Sequence, residues 1–161
     1  MPNYSSVEAT PGTVVHAAFH IDRTFKASPQ RVFKAFADPR AKALWFSGTP
    51  GKWTELERIM DFRVGGREVA KGQWTDGPIT HFDAVYHDIV PDQRIVYSYN
   101  MFVDTRKLSV SLATIQIRAA GGGGTHLRVS EQGAFLDGYE DGGSRERGTG
   151  ELLDRLGATL G

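Results

Sequence analysis

At 161 residues, 40% hydrophobic and 11% aromatic, the chain suits one domain that buries about two-thirds of its unfolded surface. Nineteen basic residues balance nineteen acidic ones, which argues against a nucleic-acid or anionic-membrane binder, since both need a basic footprint. The absence of cysteine excludes disulfides, thiolate catalysis and cysteine-held zinc, and fits a reducing, cytoplasmic setting.

Residues 1–12 read as a polar tail broken by Pro2, Pro11 and Gly12, with no basic segment leading into an apolar run. No stretch approaches the ~18 apolar residues of a membrane helix, so membrane insertion is not expected, and the domain is expected over 13–161. Val14 to Lys26 predicts a strand, with Phe19, Ile21 and Phe25 on one parity and Arg23 beside them. Ser28 caps a helix opening at Pro29, with Val32, Phe33 and Phe36 as its apolar stripe. Asp38-Pro39 stops it and starts a second short helix carrying Leu44, Trp45 and Phe46, followed by a Gly/Pro-rich lip over Ser47 to Trp53.

From Glu55 onward, turn signals recur at hairpin spacing: Gly65-Gly66, Asp76-Gly77-Pro78, Pro91-Asp92, Asp104-Thr105 and Gly121 to Gly124. Six strands fall around them, and short turns force antiparallel pairing. No Lys-Ser or Lys-Thr follows the four glycines, so they read as a hairpin tip and not a phosphate loop. After a polar linker from Gly138 to Gly143, Ser144 is expected to cap a final helix from Arg145 to about Leu160. Leu152, Leu153, Leu156 and Leu160 share its apolar face, with Arg145, Arg147, Glu151, Asp154 and Arg155 assigned to the other. Gly148 and Gly150 weaken this helix by about 1 kcal/mol each relative to Ala, a cost that suits a close approach by ligand or backbone. The class is α+β: a curved seven-stranded antiparallel sheet, two short helices after its first strand, and a long C-terminal helix over an apolar cavity.

Asp61-Phe62-Arg63-Val64-Gly65-Gly66-Arg67-Glu68, then Pro91-Asp92-Gln93-Arg94-Ile95-Val96-Tyr97, Ser130-Glu131-Gln132-Gly133 and Gly150-Glu151-Leu152-Leu153-Asp154-Arg155-Leu156 occur in this order. Their succession resembles the SRPBCC superfamily, the START and birch-pollen-allergen-like proteins, and within it the branch named for activators of the heat-shock-protein-90 ATPase. The resemblance implies a helix-grip fold with a deep cavity between sheet and last helix, and no fixed chemistry. Where many relatives place Trp in the closing helix, this chain has Thr149, which implies a reshaped inner cavity.

Trp45, Phe46, Trp53, Met60, Phe62, Trp74, Tyr86, Tyr97, Tyr99, Met101, Leu152 and Leu156 are the expected pocket set, with Trp45, Phe46 and Trp53 as the lid. Ile95, Tyr97, Tyr99 and Met101 share one strand parity, and the two phenols need partners if buried. Glu131 continues the parity of Leu127 and Val129 and therefore points inward. Because the fold type makes first and last strands neighbours, Glu131 pairs with inward Arg23, orients a ligand, or serves as a general acid or base. His81, Asp83 and His87 look like a metal set, but the two histidines would lie near 20 Å apart on a regular strand and face outward with Asp83. No metal or cofactor is expected.

These residues describe a holder of a small apolar or aromatic ligand. Alternatives are a polyketide cyclase/dehydratase-like or hydrolase-like enzyme using pocket Tyr and Glu, and a partner protein that activates a chaperone ATPase. A homodimer through an edge strand such as Val14 to Lys26, or through an apolar lip, is open.

Overall fold

The computed structural model describes residues 10–161; of the tail expected over 1–12, residues 1–9 lie outside them. Ten principal elements follow one another: β1 (Val14–Phe25), α1 (Pro29–Ala37), α2 (Pro39–Ala43), β2 (Trp53–Met60), β3 (Arg67–Trp74), β4 (Ile79–Val90), β5 (Arg94–Val103), β6 (Arg106–Ala119), β7 (Thr125–Leu136) and α3 (Gly142–Leu160). The seven strands form one antiparallel sheet in the order β1-β7-β6-β5-β4-β3-β2. The chain is therefore a helix-grip α+β fold, in which the β2–β7 meander runs back across the sheet and brings the last strand alongside β1. No described helix is long and apolar enough to cross a membrane.

Local chemistry explains the turns and caps. Asp76, Asp92 and Asp104 each take positive φ in a hairpin turn, a conformation Asp tolerates better than bulkier residues. Ser28 accepts from Arg31 N at 3.2 Å, and Asp38 ends α1 while its carboxylate caps α2. The final helix opens three residues earlier than expected: Asp141, not Ser144, is its cap, accepting from Ser144 N at 2.7 Å. Asp and Ser cap equally well, and the two glycines after Asp141 left the earlier start hidden.

Bulges in β2 between Glu55 and Glu57, in β4 between Tyr86 and Asp88, and in β6 between Lys107 and Ser109 interrupt the ladders and bend the strands. The inner face of the sheet carries the core, including Ile21, Phe82, Tyr86, Ile95, Tyr97, Ile115, Leu127 and Val129, against Val32 and Phe36 of α1 and Leu153 and Leu156 of α3. Close glycine contacts set the helix against β1: a Cβ at Gly142 would lie 2.5 Å from the Ala17 Cβ, and one at Gly157 would lie 3.2 Å from the Phe25 ring.

Trp53, the first residue of β2, lies flat across Gly72 of β3, where an added Cβ would come within 2.0 Å of the indole. Its Nε1 donates to Thr80 Oγ1 at 3.2 Å. Gly72→Ala is expected to displace the ring and cost about 1–3 kcal/mol by urea denaturation, the usual penalty of overpacking; unchanged stability would refute this seating of Trp53.

Candidate functional site

Between the inner sheet face, the segment after α2 and α3 lies a cavity of about 230 Å³, just below the usual ligand-pocket range of about 300–1,000 Å³. Trp45, Phe46, Trp53, Trp74, Tyr97, Tyr99, Met101, Glu131 and Leu152 all line it, and they include every tryptophan of the chain. Met60, Phe62, Tyr86 and Leu156, expected in the same set, stand outside the lining. Phe62 packs edge-on to Phe33 and Tyr86, at 5.8 and 5.0 Å between ring centroids. Tyr86 turns its hydroxyl to Glu68, Leu156 is sealed in the core, and Met60 sits half-buried at the end of the edge strand β2.

The proposed Arg23–Glu131 ion pair is not formed. In the β1–β7 register Arg23 faces Leu127 while Glu131 faces Phe19, an offset of four residues or about 13 Å along the strand. Arg23 instead reaches Asp154 of α3 at 3.1 Å. Glu131 accepts from the Tyr99 hydroxyl at 2.5 Å, and the Thr149 hydroxyl also faces its carboxylate.

Arg145 holds this cluster together. It was assigned to the polar face of α3, but it is buried, donating to the Tyr99 oxygen at 2.9 Å and to Ser109 Oγ at 2.8 Å, and pairing with Glu140. Its guanidinium also lies over the rings of Tyr99 and Phe135, at 5.5 and 5.2 Å. Burial opposes its charge, but Tyr99, Glu140 and Glu131 outweigh that penalty and hold it firmly protonated. Burial raises the Tyr99 hydroxyl, with the Glu131 charge next in weight, so it remains a donor. Burial likewise pushes Glu131 above its ordinary 4.5, against the hydrogen bond from Tyr99 and the charge of Arg145.

A second buried cluster lies on the α2 side. Lys42 Nζ contacts Glu68 Oε1 at 2.6 Å, and Tyr86 donates to the same oxygen. The Lys42 ammonium also sits 4.5 Å over the Phe46 ring. Glu68 Oε2 and Trp74 Nε1 are buried without a partner among the described residues. The lip is held by two arginines: Arg58 donates to Phe46 O at 2.9 Å, and Arg155 of α3 donates to Ser47 O and Gly48 O at 2.5 and 2.9 Å.

The sequence reading missed Lys42, Arg145 and Arg155 as cavity residues. For Arg145 a signal existed, since 145, 149, 152, 153 and 156 fall on one helical face. Lys42 carried none; its burial depends on Glu68, which is distant in sequence. On the outer face, His87 meets Ser98 at 2.7 Å, and Asp83 is bound bidentately by Arg67.

A carboxyl whose value rises on folding holds its proton more tightly in the native state. Glu131 therefore stabilises the fold below pH 4.5, and that contribution is lost as pH rises through its native value. Glu131→Gln keeps the acceptor for Tyr99 and removes the titration. Its melting temperature relative to wild type is expected to climb as pH rises above 4.5; a difference that stays flat or falls would contradict the burial of this charge.

The family model described as "Activator of Hsp90 ATPase homolog 1-like protein" matches residues 26–161. The crystal structure of Mll3558 from Rhizobium loti is 44% identical, covers 91% of this chain and 99% of its own, and superposes with a TM-score of 0.83. A putative uncharacterized protein from Rhizobium leguminosarum is 42% identical over 92% of this chain and 96% of its own, with a TM-score of 0.86. Protein CV1439 from Chromobacterium violaceum is 26% identical over 89% of this chain and 96% of its own, with a TM-score of 0.71. No curated protein sequence matches the chain. With the helix-grip sheet, the closing α3 and a family match over residues 26–161, the chain belongs to the activator of Hsp90 ATPase homolog 1-like family of the SRPBCC superfamily.

Proposed function

We propose that this protein binds a small apolar or aromatic molecule between its sheet and α3. The observation that carries this reading is the cavity itself: all three tryptophans and Phe46, Phe82, Tyr97, Tyr99 and Met101 border an unfilled volume of about 230 Å³. Aromatic surface of this kind is normally packed to crystal-like density, so an unfilled volume lined by it suits an apolar guest. The Arg58 and Arg155 contacts to three successive lip carbonyls give the mouth a hold that opens without dismantling the sheet. The cysteine-free sequence supports a cytoplasmic setting.

A second reading, proton transfer on the held molecule as in a cyclase, dehydratase or hydrolase, rests on Glu131, which Tyr99 orients at the cavity wall. Chaperone ATPase activation rests on the family's description alone. A homodimer would form at β1, an open edge of the sheet.

Gly148 offers a direct test. It lines the cavity, three residues from Arg145 and four from Leu152 on the same face of α3, and a Cβ there meets nothing within 4 Å. Gly148→Leu is expected to fill the cavity while stabilising the helix by up to about 1 kcal/mol. Binding of phenylcyclohexane, followed by tryptophan fluorescence, should fall at least tenfold while the melting temperature holds or rises. Unchanged binding, or no binding by the wild type, would refute the proposal.

A further inference from the structure

Three tyrosines stand in a row on the inner sheet face, with ring centroids 6.2 Å apart from Tyr86 to Tyr97 and 5.9 Å from Tyr97 to Tyr99. The outer two are committed: Tyr86 donates to Glu68, and Tyr99 donates to Glu131. Tyr97, between them, lines the cavity and is 8% exposed, yet its hydroxyl has no hydrogen-bond partner among the described residues. Unlike the sealed Trp74 Nε1 and Glu68 Oε2, it is not shut away from the cavity. Glu131 is taken by Tyr99, and Glu68 is taken at one oxygen by Lys42 and Tyr86 while its second oxygen makes no hydrogen bond among the described residues, so neither carboxylate satisfies the Tyr97 hydroxyl.

Burial and then the charge of Glu131 drive the Tyr97 hydroxyl well above its ordinary 10.0, with Tyr99, Glu68 and Tyr86 adding to the shift. The group is therefore a committed donor in a negative potential. The cations beside the tyrosine row are spent: Lys42 is paired with Glu68, and Arg145 with Glu140, while Arg155 is held at the lip by Ser47 O and Gly48 O. A carboxylate brought to Tyr97 would meet the like charge of Glu131 and Glu68 with no unpaired cation beside the row among the described residues. A bare hydrocarbon would leave the donor orphaned, which costs more than the bond itself returns. A neutral oxygen acceptor satisfies both conditions.

Resting on the ligand-binding reading above, we infer that the cavity selects an apolar ring compound bearing a neutral carbonyl oxygen, which accepts from the Tyr97 hydroxyl. The carbonyl lies over the middle of the tyrosine row, and the hydrocarbon part fills the space beneath the tryptophans. Selectivity of this kind is asymmetric, because a site built to donate rejects a molecule that cannot accept more strongly than it rewards one that can.

The test uses three probes of one shape: 4-phenylcyclohexanone, phenylcyclohexane and 4-phenylcyclohexanecarboxylate, each titrated against the full-length protein by tryptophan fluorescence. The ketone is expected to bind roughly tenfold more tightly than the hydrocarbon, the worth of one hydrogen bond, with the carboxylate weakest. Tyr97→Phe should collapse the ketone-to-hydrocarbon ratio to about one, and His87→Ala on the outer face should keep it. Calorimetric melting of Tyr97→Phe should match wild type, since its hydroxyl holds no protein partner; a large loss of stability would show a structural bond and overturn the inference. Equal binding of ketone and hydrocarbon, or tightest binding of the carboxylate, would overturn the inference and leave the ligand-binding reading standing. Failure of all three probes to bind would remove both.

Discussion

The buried guanidinium of Arg145 is the constraint on which the site depends. A charge removed from water is tolerated only where its hydrogen bonds are met, and here Tyr99, Ser109 and Glu140 meet them while two aromatic rings cover the planar faces. Removing one partner from such a set typically costs about 3–5 kcal/mol, so the first turn of α3 has one seat on the sheet. That seat fixes the rest of the helix face: Thr149 beside Glu131, Leu152 over the cavity, Leu153 and Leu156 in the core.

The same contact sets the polarity of the neighbouring hydrogen bonds. Because Arg145 donates to the Tyr99 oxygen, Tyr99 has its own hydrogen left for Glu131, and the chain of hydrogen bonds runs in one direction. On the α2 side, Lys42 and Tyr86 both donate to one oxygen of Glu68. These two clusters engage the hydroxyls of the outer two tyrosines and leave Tyr97 open between them. The cavity is thus apolar over most of its wall, with charges that are paired where they are buried, the condition under which an uncharged guest is favoured over an ionic one.

The strand order of the hairpins, the inward parity of β5 and β7, and the aromatic wall were legible in the sequence, because period-two alternation and Asp- or Gly-bearing turns are local signals. The family followed from short motifs in a fixed order. What stayed hidden was long-range. Arg23 was sent to Glu131 because both point inward, but parity carries no information on register, and four residues of offset separate them. Arg145 was read as solvent-facing because arginine usually is, although its helical spacing to Leu152 and Leu156 placed it on the buried face. Lys42 could not be found at all without the fold that brings Glu68 beneath it.

Where a ligand sits tests a site between the sheet and α3 most directly. The three indole N–H resonances come from Trp45, Trp53 and Trp74, and all three rings line the cavity. In a two-dimensional nitrogen–proton spectrum, saturating 4-phenylcyclohexanone should shift all three together with the backbone amides of Gly148 and Leu152. Shifts confined to the outer sheet face, around His87, Ser98 and Leu112, with the indoles unmoved, would contradict a ligand site between sheet and α3.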